Sequence, residues 1–252
     1  MVVGERSGAG DPAHTLELLW RAPGTGGSGR GPKQRTTVDA VVDAAIGIAD
    51  REGLSAVTMR SVAARLGLSP MGTYTYVPGK AELLDLMLDT VYARMARTEL
   101  AGKPWRERLA AVAADNRALL IAHAWVLDVS TTRPPLGPGL MAKYEHELAA
   151  FDDTGIDDVA MDATLTHLLG FVAAVARIDR DTAAAAADTA SSDQQWWERH
   201  APLLAKALDP ARYPRATRVG AAAGAAHAAA YDADHAWTFG LPRILDGLAS
   251  LF

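Results

Sequence analysis

The sequence predicts an all-α fold, and three observations carry the prediction. Alanine and leucine, which lose little on entering a helix, are abundant, and alternating runs of β-branched residues are scarce. Apolar residues instead recur at spacings of three and four along most of the 252 residues. A hydrophobic share of 49% is ample for a buried core.

Taken in order, residues 1–35 read as a flexible extension. Asp11 and Pro12 have the chemistry of an N-cap and a first helical residue, with Leu16, Leu19 and Trp20 on one face behind them. That segment is too short to hold alone, so docking on the body and fraying are both open to it. A Gly/Ser-rich stretch over 22–31 follows, then Arg30, Lys33 and Arg35, a basic arm of the kind that lies along phosphates or enters a minor groove, or a solvated tail. The first long helix is expected over 38–50, capped by Thr36 or Thr37 and ended by Gly53, with Val38, Val41, Val42, Ala45 and Ala49 inward.

The most informative stretch is 58–80. Thr58 caps a helix whose stripe is Met59, Val62, Ala63 and Leu66; Gly67 stops it; Ser69 caps a second helix with Pro70 at its first position. Two short helices joined by so tight a turn make a helix-turn-helix, which presents its second helix to a DNA major groove. Charge agrees, because residues 54–80 hold Arg60, Arg65 and Lys80 and no acid in a chain of net charge −5. Phosphate binding needs such a local basic surface, since affinity for DNA comes largely from counterion release. Pro78 and Gly79 then break the chain before a lever helix with the stripe Leu84, Met87, Leu88, Val91 and Met95. The domains are accordingly 36–82 for the DNA-binding head and 83–252 for a larger helical part.

In that larger part helices are expected over 105–122, 140–151, from about 157 past 176, around Trp196 to Leu203, and over 237–252. The alanine-rich runs 183–193 and 221–230 are expected to be loose. Candidates to line a ligand cavity are His123, Trp125, Arg133, Tyr144, His167, Phe171, Trp196 and Trp197, because pockets mix aromatics with a few polar groups. Packing or surface roles compete for each of them.

The chain has no cysteine, which excludes disulfides, cysteine metal sites and thiol nucleophiles. No apolar leader or unbroken membrane span is read from the sequence, so a cytoplasmic protein with no membrane partner is expected. The seven histidines lack metal-ligand spacing, and Asp152, Asp153, Asp157 and Asp158 fail the DDxxD pattern of helical isoprenoid-processing enzymes, since Ile156 takes the fifth place and Gly155 breaks the helix. No catalytic triad, phosphate loop or dinucleotide fingerprint is present, so no catalytic residue, metal or cofactor is assigned.

With these residues in view, 37–95 resembles the TetR family of bacterial transcriptional repressors. The stretch LGLSPMGTYTYVPGKAELLDLML carries the resemblance: a turn glycine, a capped recognition helix, a Tyr-x-Tyr pair and a Lys-x-x-Leu-Leu start to the next helix. RPPLGPGLMAKYEHELAAF, TFGLPRILDGL and DPAHTLELLW look like segments of actinobacterial members. The resemblance implies a homodimer with two DNA heads, a cavity for an unknown small-molecule effector in each larger domain, and release of a near-palindromic operator. It places Thr58, Arg60, Ser69, Met71, Gly72 and Thr73 at the groove and Tyr74, Tyr76 and Lys80 at phosphates. It favours dimerisation through the stripes Leu165, Leu169, Val172, Ala176 and Trp237, Leu241, Ile244, Leu248, with Gly170, Ala173 and Gly240 allowing close approach. Thr73 and Pro70 depart from the apolar residue and the polar base reader usual there. Two rivals stay open: a ligand-independent regulator on this fold, and a helical enzyme or carrier with a vestigial helix-turn-helix.

Overall fold

A computed structural model describes residues 5–22 and 36–252, and it is helical, with no strand among the described residues. The basic run Arg30, Lys33 and Arg35 and most of the linker lie outside the described residues. Two compact units divide the chain, one reaching to Leu169 and including Phe252, the other covering Gly170–Leu251.

The head is built from α2 (Val38–Glu52), α3 (Met59–Leu66) and α4 (Pro70–Tyr74). Thr37 accepts from the Ala40 N–H, and Val41, Val42, Ala45, Ile48 and Ala49 are buried on the inner face of α2. Thr58 and Ser61 cap α3 reciprocally, Gly67 ends it in the left-handed region at φ 66°, and Ser69 accepts from Gly72 N to start α4. The second helix ends at Tyr74, short of Val77, because Val77 is drawn into the core at 0% exposure.

The lever is α5 (Lys80–Arg94), and nearly every residue from Glu82 to Tyr92 is buried. Among its apolar neighbours stand three buried carboxylates, each satisfied by backbone N–H groups from far along the chain. Glu82 accepts from Asp11 N at 3.3 Å, Asp85 from Gly8 N at 2.9 Å, and Asp89 from Gly139 N and Leu140 N at 3.1 and 2.8 Å. These bonds offset part of the penalty of burial, which still raises the carboxyls of Asp85 and Asp89.

These bonds correct the reading of the whole of 1–35 as a flexible extension. Asp11 caps α1 (Pro12–Leu19), Leu19 and Thr15 are buried, and Ser7 N and Ser130 N bond reciprocally with the carbonyls of Ser130 and Glu5. Trp20 donates to the Leu136 carbonyl at 2.8 Å, and Arg21 pairs with Asp39 of α2. A helix too short to hold alone is held by the lever, the 130–136 loop and the head together.

Burial raises the carboxyl of Asp89 above the ordinary 3.8, against the pull of the Leu140 and Gly139 N–H groups and of Arg21. A carboxyl raised on folding contributes stability that is full below 3.8 and lost as pH rises through the higher folded value. Urea unfolding at a series of pH values should therefore show the stability difference between wild type and Asp89→Asn shifting against wild type from about pH 4 towards neutrality. A difference that does not vary with pH would contradict this placement of the carboxylate.

The first unit is completed by α6 (Trp105–Ala122), α7 (Pro138–Leu148) and the start of α8 (Asp158–Thr189). Between α5, α6 and α7 lies a buried polar cluster. Lys143 donates to both oxygens of Glu147 at 2.7 and 2.8 Å, and Asn116 donates to Glu147 at 2.5 Å. The Lys143 ammonium stands 5.6 Å from the Tyr92 ring centroid. Burial, then the charges of Glu147 and Asp89, push the Tyr92 phenol up to about 12.

In the second unit α8 runs on to Thr189, followed by α9 (Asp193–Ala207), α10 (Pro214–His227) and α11 (Ala233–Leu248). The runs expected to be loose are thus largely helical. Alanine has the best helix propensity and no side-chain entropy to lose, which low complexity hides. By length and composition α8 passes as a membrane span, with 33% of its most apolar window buried inside the chain.

The residues of the expected dimer stripes are covered to different degrees within the single chain. Leu165, Val172, Ala176, Leu241 and Leu248 are buried within the chain, Leu169, Trp237 and Ile244 are half-buried, and Trp237 stacks on Phe171 at 5.9 Å. Gly240 serves an internal contact, since a Cβ there would stand 2.6 Å from the Phe171 ring. The half-buried Leu169, Trp237 and Ile244 keep part of their surface outward, and the large apolar side chains most exposed on these two helices are Val159 and Phe239.

Candidate DNA interface and effector cavities

The head turns a row of uncommitted side chains outward. Arg60 and Arg65 are exposed and carry no ion pair among the described residues, Met71 is 75% exposed, and Tyr74, Ser69 and Thr58 are exposed. Thr58 and Ser69 are already spent as caps, but a hydroxyl that accepts from the backbone still has a proton to donate to a phosphate. Gly72 is half-buried, and Tyr76 is half-buried against the head's core. This is the arrangement needed by a helix that reads a groove: apolar and small groups at its tip, cations and hydroxyls at its flanks.

Thr73 does not belong to that surface. It is 0% exposed, and its Oγ1 is buried without a partner among the described residues, because α4 turns this face towards the core. The threonine occupies a site suited to an apolar residue. Exposed Thr75, at the C-cap, is the hydroxyl that sequence reasoning missed.

Lys80 is engaged by the arm, its Nζ standing 2.6 Å from a Glu5 carboxylate oxygen. The pair is partly exposed, and such bridges contribute about 0–1 kcal/mol, so a phosphate can displace the carboxylate at small cost.

The candidate ligand residues do not converge on one cavity. His123 and Trp125 both meet Asp50 of α2, at 2.8 Å each, and tie the head to the turn after α6; Trp125 is 2% exposed. Arg133 is exposed, with its carbonyl accepting from Ser7 Oγ. The Tyr144 hydroxyl donates to Asp162, His167 is exposed on α8, and Phe171 stacks on Trp237. Trp196 is 42% exposed and stacks on His200, while Trp197 lies against Gly224. As a set, these residues do not share one cavity. Aromatic and polar residues were picked by type, and helix packing assigned them to separate neighbours.

Of three cavities among the described residues, one takes in His123 and another Trp197, while the remaining candidates line none of them. In the first unit a cavity of about 430 Å³ is lined by Arg97, Glu99, Leu100, Arg108, His146 and Asp152 among others, and one of about 270 Å³ by Val91, Met95, Asp115, Leu119 and His123. In the second, about 330 Å³ opens between α9 and α10, lined by Trp197, Leu204, Leu208 and small residues of α10. No group of three potential metal ligands is found among the described residues.

A capped helix-turn-helix joined through a buried lever to a helical domain with cavities defines a DNA-binding sensor protein. Residues 99–252 match the family described as "Tetracyclin repressor-like, C-terminal domain". The chain is 41% identical over 251 residues to the HTH-type transcriptional repressor DrrR1 of Streptomyces coeruleorubidus, covering 98% of this chain and 89% of that protein. It is 33% identical over 146 residues to an HTH-type transcriptional regulator of Saccharopolyspora erythraea, covering 56% and 62%. Among solved structures, ActR of Streptomyces coelicolor in complex with actinorhodin superposes with a TM-score of 0.71 at 26% identity, over 86% of this chain and 96% of that one. The chain belongs to the TetR family of DNA-binding, ligand-responsive transcriptional regulators.

Proposed function

We propose that the protein is a homodimeric, cytoplasmic repressor that holds a near-palindromic operator through two copies of the 58–80 head and lets go when a small molecule occupies the larger domain. The observation that carries this reading is the head's outward row: uncommitted Arg60, exposed Met71 and Tyr74, and Lys80 held only by a displaceable surface pair. DrrR1 is named a repressor, and ActR has been solved with actinorhodin and with (S)-DNPA, which supports release by a small molecule. The protein acts by binding and not by catalysis. Two heads related by a two-fold axis touch half-sites roughly 34–36 Å apart.

Gel-shift titrations at several salt concentrations test the head. Arg60→Ala and Lys80→Ala should each weaken operator binding and lower the slope of log K against log salt by about 0.9 for each phosphate no longer neutralised. Unchanged affinity and slope in both variants would remove these residues from the interface.

A further inference from the structure

We propose that the cavity of about 430 Å³ beyond the C-terminal end of the lever binds a small organic carboxylate through the guanidinium groups of Arg97 and Arg108. Its volume falls within the roughly 300–1,000 Å³ of small-molecule sites.

The arginines of the lining have no ion-pair partner among the described residues. Arg97, Arg108 and His146 all line this one cavity. Their Nε, Nε and Nε2 atoms are covered by the chain, so the terminal guanidinium nitrogens of the two arginines are the groups left to meet a ligand. Each guanidinium has five N–H donors, and among the described residues each makes a single bond, to a backbone carbonyl: Arg97 to Tyr92 at 2.9 Å and Arg108 to Asp152. Neither arginine has a carboxylate within ion-pair distance among the described residues. Of the two acids in the lining, Glu99 spends its carboxylate on the N–H groups of Leu100 and Ala101, both at 3.0 Å. Partly covered arginines without a counter-ion are the usual means of holding a planar carboxylate, whose two oxygens match the guanidinium fork.

The same lining limits the ligand. Asp152 and Glu99 repel a multiply charged anion and offer acceptors to a ligand hydroxyl, while Leu100 and Ala149 give an apolar wall. A monocarboxylate that bears a hydroxyl group and an apolar face meets all three conditions, and a hydroxynaphthoate serves as its probe.

Occupancy reaches the lever directly. Arg97 donates to a carbonyl in the last turn of α5, and Thr98 grips the Asp115 carboxylate of α6 through its N–H at 2.7 Å and its hydroxyl at 2.8 Å. A carboxylate that recruits Arg97 withdraws a donor from one end of a helix whose other end begins at Lys80. This last step rests on the reading of the chain as an effector-released regulator; the binding step does not.

Isothermal titration of the full-length protein, without DNA, uses 3-hydroxy-2-naphthoate and its uncharged carboxamide as probes. The acid is expected to bind at least tenfold more tightly than the amide. Arg97→Gln and Arg108→Gln should each lower affinity for the acid at least tenfold, whereas Arg243→Gln, in the second unit, should leave it unchanged. Thermal melts establish that the variants fold, and Arg108→Lys, which keeps the charge but not the fork, should give an intermediate loss if either glutamine variant does not. No binding of the acid, equal binding of acid and amide, or full affinity in both arginine variants would overturn the site. A gel shift with the naphthoate separates the two readings, because an acid that binds through these arginines yet leaves operator affinity unchanged sustains the site and refutes its link to release.

Discussion

Glu147→Ala is expected to destabilise the protein by about 3–5 kcal/mol, the range for removing one partner of a buried ion pair. Glu147 is 2% exposed and takes three hydrogen bonds, two from Lys143 and one from Asn116. Without it the Lys143 ammonium, on a residue 7% exposed, keeps the face of Tyr92 as its one remaining contact of this kind among the described residues. The loss reflects an unpaired charge and not the worth of the bridge, so the double variant Lys143→Met/Glu147→Leu should recover most of it. Urea midpoints for the two variants decide the matter. A single variant within about 0.5 kcal/mol of wild type, the range of ordinary surface changes, would mean the cluster is hydrated.

Gly139→Ala is expected to cost about 1–3 kcal/mol through overpacking, and more if the cap it supports is broken. A Cβ at Gly139 would lie inside hard contact with the Asp89 carbonyl oxygen, 2.9 Å from that carbonyl's carbon and 3.0 Å from Ala93 Cβ. The obstacle is the backbone of the lever, which has no rotamer to yield. Helix α7 must lift, taking the Gly139 and Leu140 N–H groups away from Asp89. Gly220→Ala in α10 is the control, since a Cβ there meets nothing within 4 Å and the change should be neutral or stabilising by up to about 1 kcal/mol. Thermal unfolding that ranks the two variants in the reverse order would refute the close approach of α7 to α5.

The head was legible because its signals are local. Thr37, Thr58, Ser69 and Gly67 each act within four residues of where they stand, so caps and turn follow from spacing alone. The lever's carboxylates were not legible, because the groups that satisfy Glu82, Asp85 and Asp89 lie 50 to 77 residues away. Acids at 82, 85 and 89 on an otherwise apolar helix were a signal, and they pointed to backbone donors arriving from elsewhere. The same limit applies to cavities: aromatic type marked Trp125 and Phe171, whereas the cavity beyond the lever is lined by Arg97 and Arg108, which only the packed chain brings together.

If residues 58–80 are the output of a two-headed DNA reader, the full-length protein must choose its own operator from a mixture. Selection of random-sequence duplexes, followed by sequencing of the bound pool, measures that choice. The expected result is enrichment of a near-palindrome whose half-sites are about one helical turn apart, abolished in an Arg60→Ala/Lys80→Ala double variant. A pool without enrichment, or one enriched equally by that variant, would contradict the assignment of this head.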